Sequence, residues 1–264
     1  MKTIEIEGIE LAVEDRGEGP PVMLLHGFPL NHSMWSAQVE RLVAGHRVIA
    51  PDLRGFGGST VTPGAVTMDR YADDVGAMLE ALEVTEPVVF CGFSMGGYVA
   101  FSFWRRYRSR VRAYVLADTR AMGDTPDSAR DRLKTAQQAM ADGPETVAKA
   151  LLPKLFSKGT LKGKPEVVEA ARQMILSSDP AGIAAALRGM AARADSRPLL
   201  NQITVPTLLI VGVDDAITPP DEMLGMAELM RQAEVVEVPN AGHLTPMENP
   251  EAFNDALVKF LDRI

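Results

Sequence analysis

The stretch Pro87-Val88-Val89-Phe90-Cys91-Gly92-Phe93-Ser94-Met95-Gly96-Gly97 decides how the chain is read. Pro87–Cys91 is a short, almost wholly apolar run, as expected for a strand covered on both faces. The residues from Met95 to Tyr107 carry apolar side chains at helical spacing. Between the two lies a sharp turn with Ser94 at its apex and glycine two positions to either side. A serine hydroxyl is a useful nucleophile only if it is exposed and close to a base. A tight strand-to-helix turn lifts it above the sheet in a strained backbone conformation. The helix start behind it also favours negative charge at that point.

Working outward, further apolar runs repeat the pattern. Strands are expected at Thr3–Ile6, Leu11–Asp15, Val22–Leu25, Arg47–Ala50, Ala113–Ala117, Thr207–Val211 and Glu234–Val238. Helices are expected at Met34–Val43, Met68–Leu82, Met95–Tyr107, Pro220–Met230 and Pro250–Leu261. Asn249-Pro250 opens the last of these with a capping side chain and a proline at the first helical position. Strand–helix alternation predicts a doubly wound α/β fold, with a mostly parallel sheet and helices on both faces. Only Glu7-Gly8 separates the first two strands, which predicts an antiparallel hairpin at the sheet's edge.

Residues 122–200 break the alternation. They show helical patterns at Ser128–Ala141, Thr146–Leu152, Glu166–Ser177 and Ala181–Ala194, punctuated by proline and glycine, and no strand. This predicts a helical insertion between a core made of residues 1–121 and 201–264.

The whole chain has 264 residues, 46% hydrophobic and 23% charged, which suits one soluble domain with an insertion. Its formal net charge of −8 argues against nucleic acid as a partner. The first ten residues hold three glutamates and no apolar stretch, so no signal peptide is expected. The single cysteine, Cys91, excludes an intrachain disulfide and suits a reducing, cytoplasmic setting. No run is long enough to span a membrane. HExxH, CxxC and histidine clusters are all missing, so neither a metal nor another cofactor is expected. Trp104–Arg112 holds five arginines, a feature of nucleic-acid readers, but it ends a helix, where cations complement the negative end of the dipole.

A nucleophile needs a base. Of His26, His32, His46 and His243, the last follows the final strand, and in a parallel sheet that loop opens on the same edge as the Ser94 turn. His46 precedes a strand and belongs at the opposite edge. His26 precedes Gly27-Phe28-Pro29 and suits another role, and His32 is expected to cap or precede a helix. The base needs a carboxylate to fix its tautomer. Asp214 and Asp215 follow the seventh strand and Asp118 the sixth; position admits all three. An oxyanion needs amide donors. Met95 N–H at the helix start is one. Pro29 has no N–H and drives Phe28 toward extended backbone, which leaves the Phe28 amide as the other.

These residues resemble the α/β-hydrolase superfamily. The similar motifs are His26–Pro29, Pro51–Ser59, Gly92–Gly97, Gly212 with Asp215 and Thr218-Pro219, and Gly242-His243 followed by Glu248-Asn249-Pro250. The resemblance implies a Ser94–Asp215–His243 triad, because the family's acid is the fourth residue of its GxxDxxTP pattern. It implies an oxyanion hole at Phe28 and Met95, and a cap that roofs the site in the 122–200 insertion. The nearest look is to bacterial serine carboxylesterases, with perhydrolases of the cofactor-free haloperoxidase type and enol-lactonases as relatives. The expected substrate is then a small-molecule ester and water. A lactonase, a perhydrolase, a C–C bond hydrolase and a non-catalytic receptor on the same fold are the alternatives. Pocket-lining side chains are expected among Leu151, Leu152, Leu155, Phe156, Met174, Ile175, Leu187 and Met190.

Overall fold

The computed structural model describes residues 1–264. One sheet holds eight strands: β1 (Lys2–Ile6), β2 (Ile9–Arg16), β3 (Pro21–Leu25), β4 (Arg47–Pro51), β5 (Val88–Phe93), β6 (Val111–Ala117), β7 (Thr207–Gly212) and β8 (Ala233–Val238). Their order is β1-β2-β4-β3-β5-β6-β7-β8. β1 pairs with β2, and β2 with β4, antiparallel; every other pairing is parallel. The expected edge hairpin forms. Glu7 and Gly8 both take positive φ, 44° and 79°, the turn whose twist matches a two-residue hairpin. Ile6 then pairs with Ile9 across it.

Twelve α-helices surround the sheet: α1 (Ser36–Leu42), α2 (Met68–Ala81), α3 (Met95–Tyr107), α4 (Pro126–Asp142), α5 (Pro144–Leu155), α6 (Lys158–Gly163), α7 (Pro165–Leu176), α8 (Pro180–Ala191), α9 (Arg197–Leu200), α10 (Pro220–Leu229), α11 (Thr245–Glu248) and α12 (Pro250–Leu261). All six residues of β5 are buried, which requires cover on both faces. Phe90 packs on Phe103 of α3 with ring centroids 5.2 Å apart, whereas Phe93 meets Trp35, beside α1, at 6.4 Å. Successive side chains of a strand point to opposite faces, so these two contacts lie on opposite sides of the sheet.

Between β6 and β7 the chain is wholly helical, α4 through α9. Four of these helices begin at a proline one or two residues ahead of the start that the periodicity indicates: Pro126, Pro144, Pro165 and Pro180. The first N–H of a helix has no intrahelical partner, so proline is tolerated there and acts as a start signal instead of a breaker. At the expected helix Met34–Val43 the chain first makes a 3-10 turn, His32–Trp35. Its cap is Asn31, whose side chain accepts from Ser33 N–H at 3.0 Å; His32 is not the cap. The ring of His32 instead meets Asp52 at 2.6 Å.

The arginine cluster also has a more specific role than complementing a dipole. Arg105 bonds Asp69 at 2.6 Å, and Arg106 bonds Asp73 at 2.5 Å. Tyr107 donates its hydroxyl to the same Asp73 at 2.8 Å. These contacts clamp the end of α3 onto α2. At about 1.5 Å of rise per residue, Arg106 and Arg108 lie roughly 17–20 Å along the chain from Met95. Replacing both with glutamine is therefore expected to leave kcat/KM within about threefold, since such distant exposed charges are largely screened. Thermal melting should show only a small loss, as exposed ion pairs contribute little. A hundredfold drop in a folded double variant would contradict this placement.

Candidate active site

Ser94 links β5 to α3 with φ 51° and ψ −111°, a conformation that costs a non-glycine residue about 1–3 kcal/mol. Its surroundings hold it there. Ser94 N–H donates to Ala117 O at 2.9 Å, and its carbonyl accepts the Thr119 hydroxyl at 2.7 Å and Gly97 N–H at 2.9 Å. Both flanking glycines are required by close approach. A Cβ on Gly92 would come within 2.5 Å of Gly96 O, and one on Gly96 within 2.5 Å of Leu25 O.

The loops after β7 and β8 bring two more of the expected residues to this turn. His243 Nε2 lies 2.9 Å from Ser94 Oγ, and His243 Nδ1 lies 2.8 Å from Asp215 Oδ2. Histidine and aspartate are both buried, whereas Ser94 is partly open. Phe93 packs against the His243 ring at 5.2 Å and limits its tilt. Asp215 accepts four donors: Ile217 N–H at 2.7 Å, Thr218 N–H at 2.9 Å, the Thr218 hydroxyl and His243 Nδ1–H. Burial pushes the Asp215 carboxyl up, but the facing His243 ring and these hydrogen bonds outweigh it and hold the group below the usual carboxylate range.

The other acid candidates sit differently. The Asp214 side chain is exposed and takes no hydrogen bond within the chain. Asp118 is fully buried; its Oδ1 accepts Gly212 N–H at 2.9 Å, and its Oδ2 shares a hydrogen bond with the Thr245 hydroxyl. Burial first, and Asp215 second, hold the Asp118 carboxyl well above its ordinary range. None of the remaining histidines forms a hydrogen bond with Ser94 Oγ, whose histidine partner is His243. His26 is buried, donates from Nδ1 to Gly27 O at 2.9 Å and accepts Leu53 N–H on Nε2 at 2.9 Å, so both ring nitrogens are occupied.

The two expected amide donors lie beside the serine. A Cβ placed on Gly27 would lie 3.1 Å from Ser94 Cβ, which puts the following Phe28 amide at the turn. The Phe28–Pro29 peptide is cis. Neither Phe28 N–H nor Met95 N–H donates to any group of the chain. Of the expected pocket-lining side chains, Leu155, Phe156, Met174, Ile175, Leu187 and Met190 are buried, and Leu151 and Leu152 are half-buried. Three supporting residues were not singled out for a role by their sequence position: Thr119, Thr218 and Glu248. Thr218 and Glu248 do fall inside the quoted motifs, but only the fold shows what they touch.

A strand–turn–helix serine, a histidine and an aspartate from successive strand ends, and a helical segment between β6 and β7 together define a class. Residues 20–250 match the family described as alpha/beta hydrolase fold, and the chain belongs to it and is a hydrolase of that fold. It is similar to a thermophilic esterase from Thermogutta terrifontis solved with malate bound, at 47% identity and a TM-score of 0.97, over 99% of this chain and 98% of that one. It is 34% identical to the AB hydrolase superfamily protein YisY of Bacillus subtilis over 96% of each chain. It is 27% identical to 3-oxoadipate enol-lactonase 2 of Acinetobacter baylyi, over 99% of this chain and 96% of that one. No helix is long and apolar enough to cross a membrane.

Proposed function

We propose that the chain is a serine carboxylesterase acting on small to medium carboxylic esters through an acyl-serine intermediate. The observation that carries this reading is the hydrogen-bonded series Ser94 Oγ, His243 Nε2, His243 Nδ1, Asp215 Oδ2, with steps of 2.9 Å and 2.8 Å. Ser94 Oγ attacks the ester carbonyl carbon while His243 Nε2 takes its proton. Asp215 holds the imidazole in the tautomer with hydrogen on Nδ1 and stabilises the imidazolium that forms. The oxyanion is received by the unengaged N–H groups of Phe28 and Met95. Collapse expels the alcohol, which leaves with the proton from His243. Water then attacks the acyl-serine by the same route, and the carboxylic acid departs.

Residues 122–200 act as a cap in this reading. Support comes from its ties to both loops beside Ser94: the Ser178 hydroxyl reaches Pro29 O at 3.4 Å, and Leu155 O accepts Leu244 N–H at 3.0 Å. A lactone is a cyclic ester and needs no different residues, and the likeness to an enol-lactonase makes lactones the second substrate class to assay. A fluorophosphonate probe is expected to label the protein at one equivalent, on Ser94, and to stop hydrolysis of p-nitrophenyl esters. A protein that neither takes the label nor turns over any ester or lactone is not a serine hydrolase.

A further inference from the structure

Glu248 ends α11, five residues beyond His243, and its side chain is fully buried. No cationic side chain pairs with its carboxylate. Three backbone N–H groups do so instead: Oε1 accepts Gly242 at 2.8 Å and Leu244 at 3.2 Å, and Oε2 accepts Ser157 at 2.8 Å. Backbone N–H donors of this kind satisfy the hydrogen-bonding capacity of a buried carboxyl group that has no cationic partner. Gly242 and Leu244 are the residues on either side of His243. Ser157 belongs to the link between α5 and α6, in the helical segment that interrupts the core. Leu155, the last residue of α5 and adjacent to this link, gives its carbonyl to Leu244 N–H at 3.0 Å. Lys164, at the start of α7, donates to the Glu248 carbonyl at 2.6 Å. Gly242 and the link are in close contact, since a Cβ on Gly242 would come within 2.6 Å of Ser157 N.

The geometry points to Glu248 as a positioning residue for His243, one whose carboxylate ties the N–H groups of both residues flanking that histidine, Gly242 and Leu244, to the α5–α6 link, so that the imidazole is aimed at Ser94 only while the link is seated. The inference rests on the reading of His243 as the base. Asp118 ties the same loop through Thr245 to the core alone, whereas Glu248 ties it to the inserted helices. A substrate that fills the space under those helices therefore acts on the base as well as on its own binding contacts.

Glu248→Gln separates the two halves of this tie. The amide oxygen can still accept Gly242 and Leu244, but its NH2 then faces Ser157 N–H, donor against donor. In assays well below the melting temperature, Glu248→Gln is expected to lower kcat by about 10–100-fold, the usual loss when an outer partner of a reacting group is misplaced. KM should change by less than about threefold, because the loss falls on the chemical step. Glu248→Ala should lose more; if it does not fold, Glu248→Gln decides alone. The far-downfield proton resonance of His243 Nδ1–H should broaden or vanish in Glu248→Gln, which a loss of stability alone would not cause. A folded Glu248→Gln with a lower melting temperature, wild-type kcat and a sharp resonance would overturn the inference. His243→Ala is measured in parallel. If it stays active, the reading of the base fails and takes this inference with it; if it is inactive while Glu248→Gln is normal, only the positioning role of Glu248 fails.

Discussion

Ser94→Ala is expected to lower ester turnover by about 10³-fold or more while leaving the fold intact. The substitution deletes one oxygen, whose hydrogen-bond partner is His243 Nε2 at 2.9 Å. Everything that holds the elbow is backbone or belongs to a neighbour: Ser94 N–H on Ala117 O, Thr119 on Ser94 O, and the close approaches of Gly92 and Gly96. Alanine and serine bear the positive φ at comparable cost, so the melting curve should barely move. A small residual rate should persist, because the proposed oxyanion donors, the Phe28 and Met95 amides, are left in place to assist attack by water. The measurement is kcat/KM on p-nitrophenyl acetate, with circular dichroism to verify folding and the fluorophosphonate label as a second readout. Near-normal turnover in a well-purified Ser94→Ala protein would remove Ser94 from the mechanism.

The sheet was legible in the sequence because its inner strands are short apolar runs with little else in them. All eight expected strands form, each with bounds shifted by no more than two residues at either end. Met95–Tyr107 and Pro250–Leu261 are found as expected, since one begins at an abrupt turn and the other at a capping asparagine followed by proline. Periodicity does not reveal α6, α9 and α11, which have six, four and four residues and are too short to repeat a hydrophobic face. For the candidate site, chain order and strand ends single out Ser94 and His243. They do not single out a carboxylate, because Asp118, Asp214 and Asp215 all follow strands on the same edge. The supporting contacts of Thr119, Thr218 and Glu248 depend on residues 25 to 91 positions away, or on the folding-back of a short turn, and no local pattern encodes them.

Those three aspartates are separated by parallel substitutions to asparagine. In Asp215→Asn, the two backbone donors Ile217 N–H and Thr218 N–H keep the amide oxygen at the Oδ1 position. The amide NH2 then occupies the Oδ2 position and faces His243 Nδ1. A donor there forces the imidazole into the tautomer with hydrogen on Nε2, which cannot take a proton from Ser94. The expected result is a loss of about 10⁴ in kcat in a folded protein. Asp214→Asn should keep turnover within about threefold, since its carboxylate is exposed, bonds nothing and is screened by solvent. Asp118→Asn is the more demanding comparison. Burial and the adjacent Asp215 hold the Asp118 carboxyl well above its usual range, so a full negative charge is disfavoured there. An amide is close in shape to that carboxyl and can still meet Gly212 N–H and the Thr245 hydroxyl. Its turnover should therefore fall by less than about tenfold, an effect of slight loop displacement and not of a missing charge. Kinetics and melting curves of the three variants, taken side by side, decide the acid. A dead Asp214→Asn with an active Asp215→Asn would move the acid one residue back, and a dead Asp118→Asn with an active Asp215→Asn would move it to the end of β6.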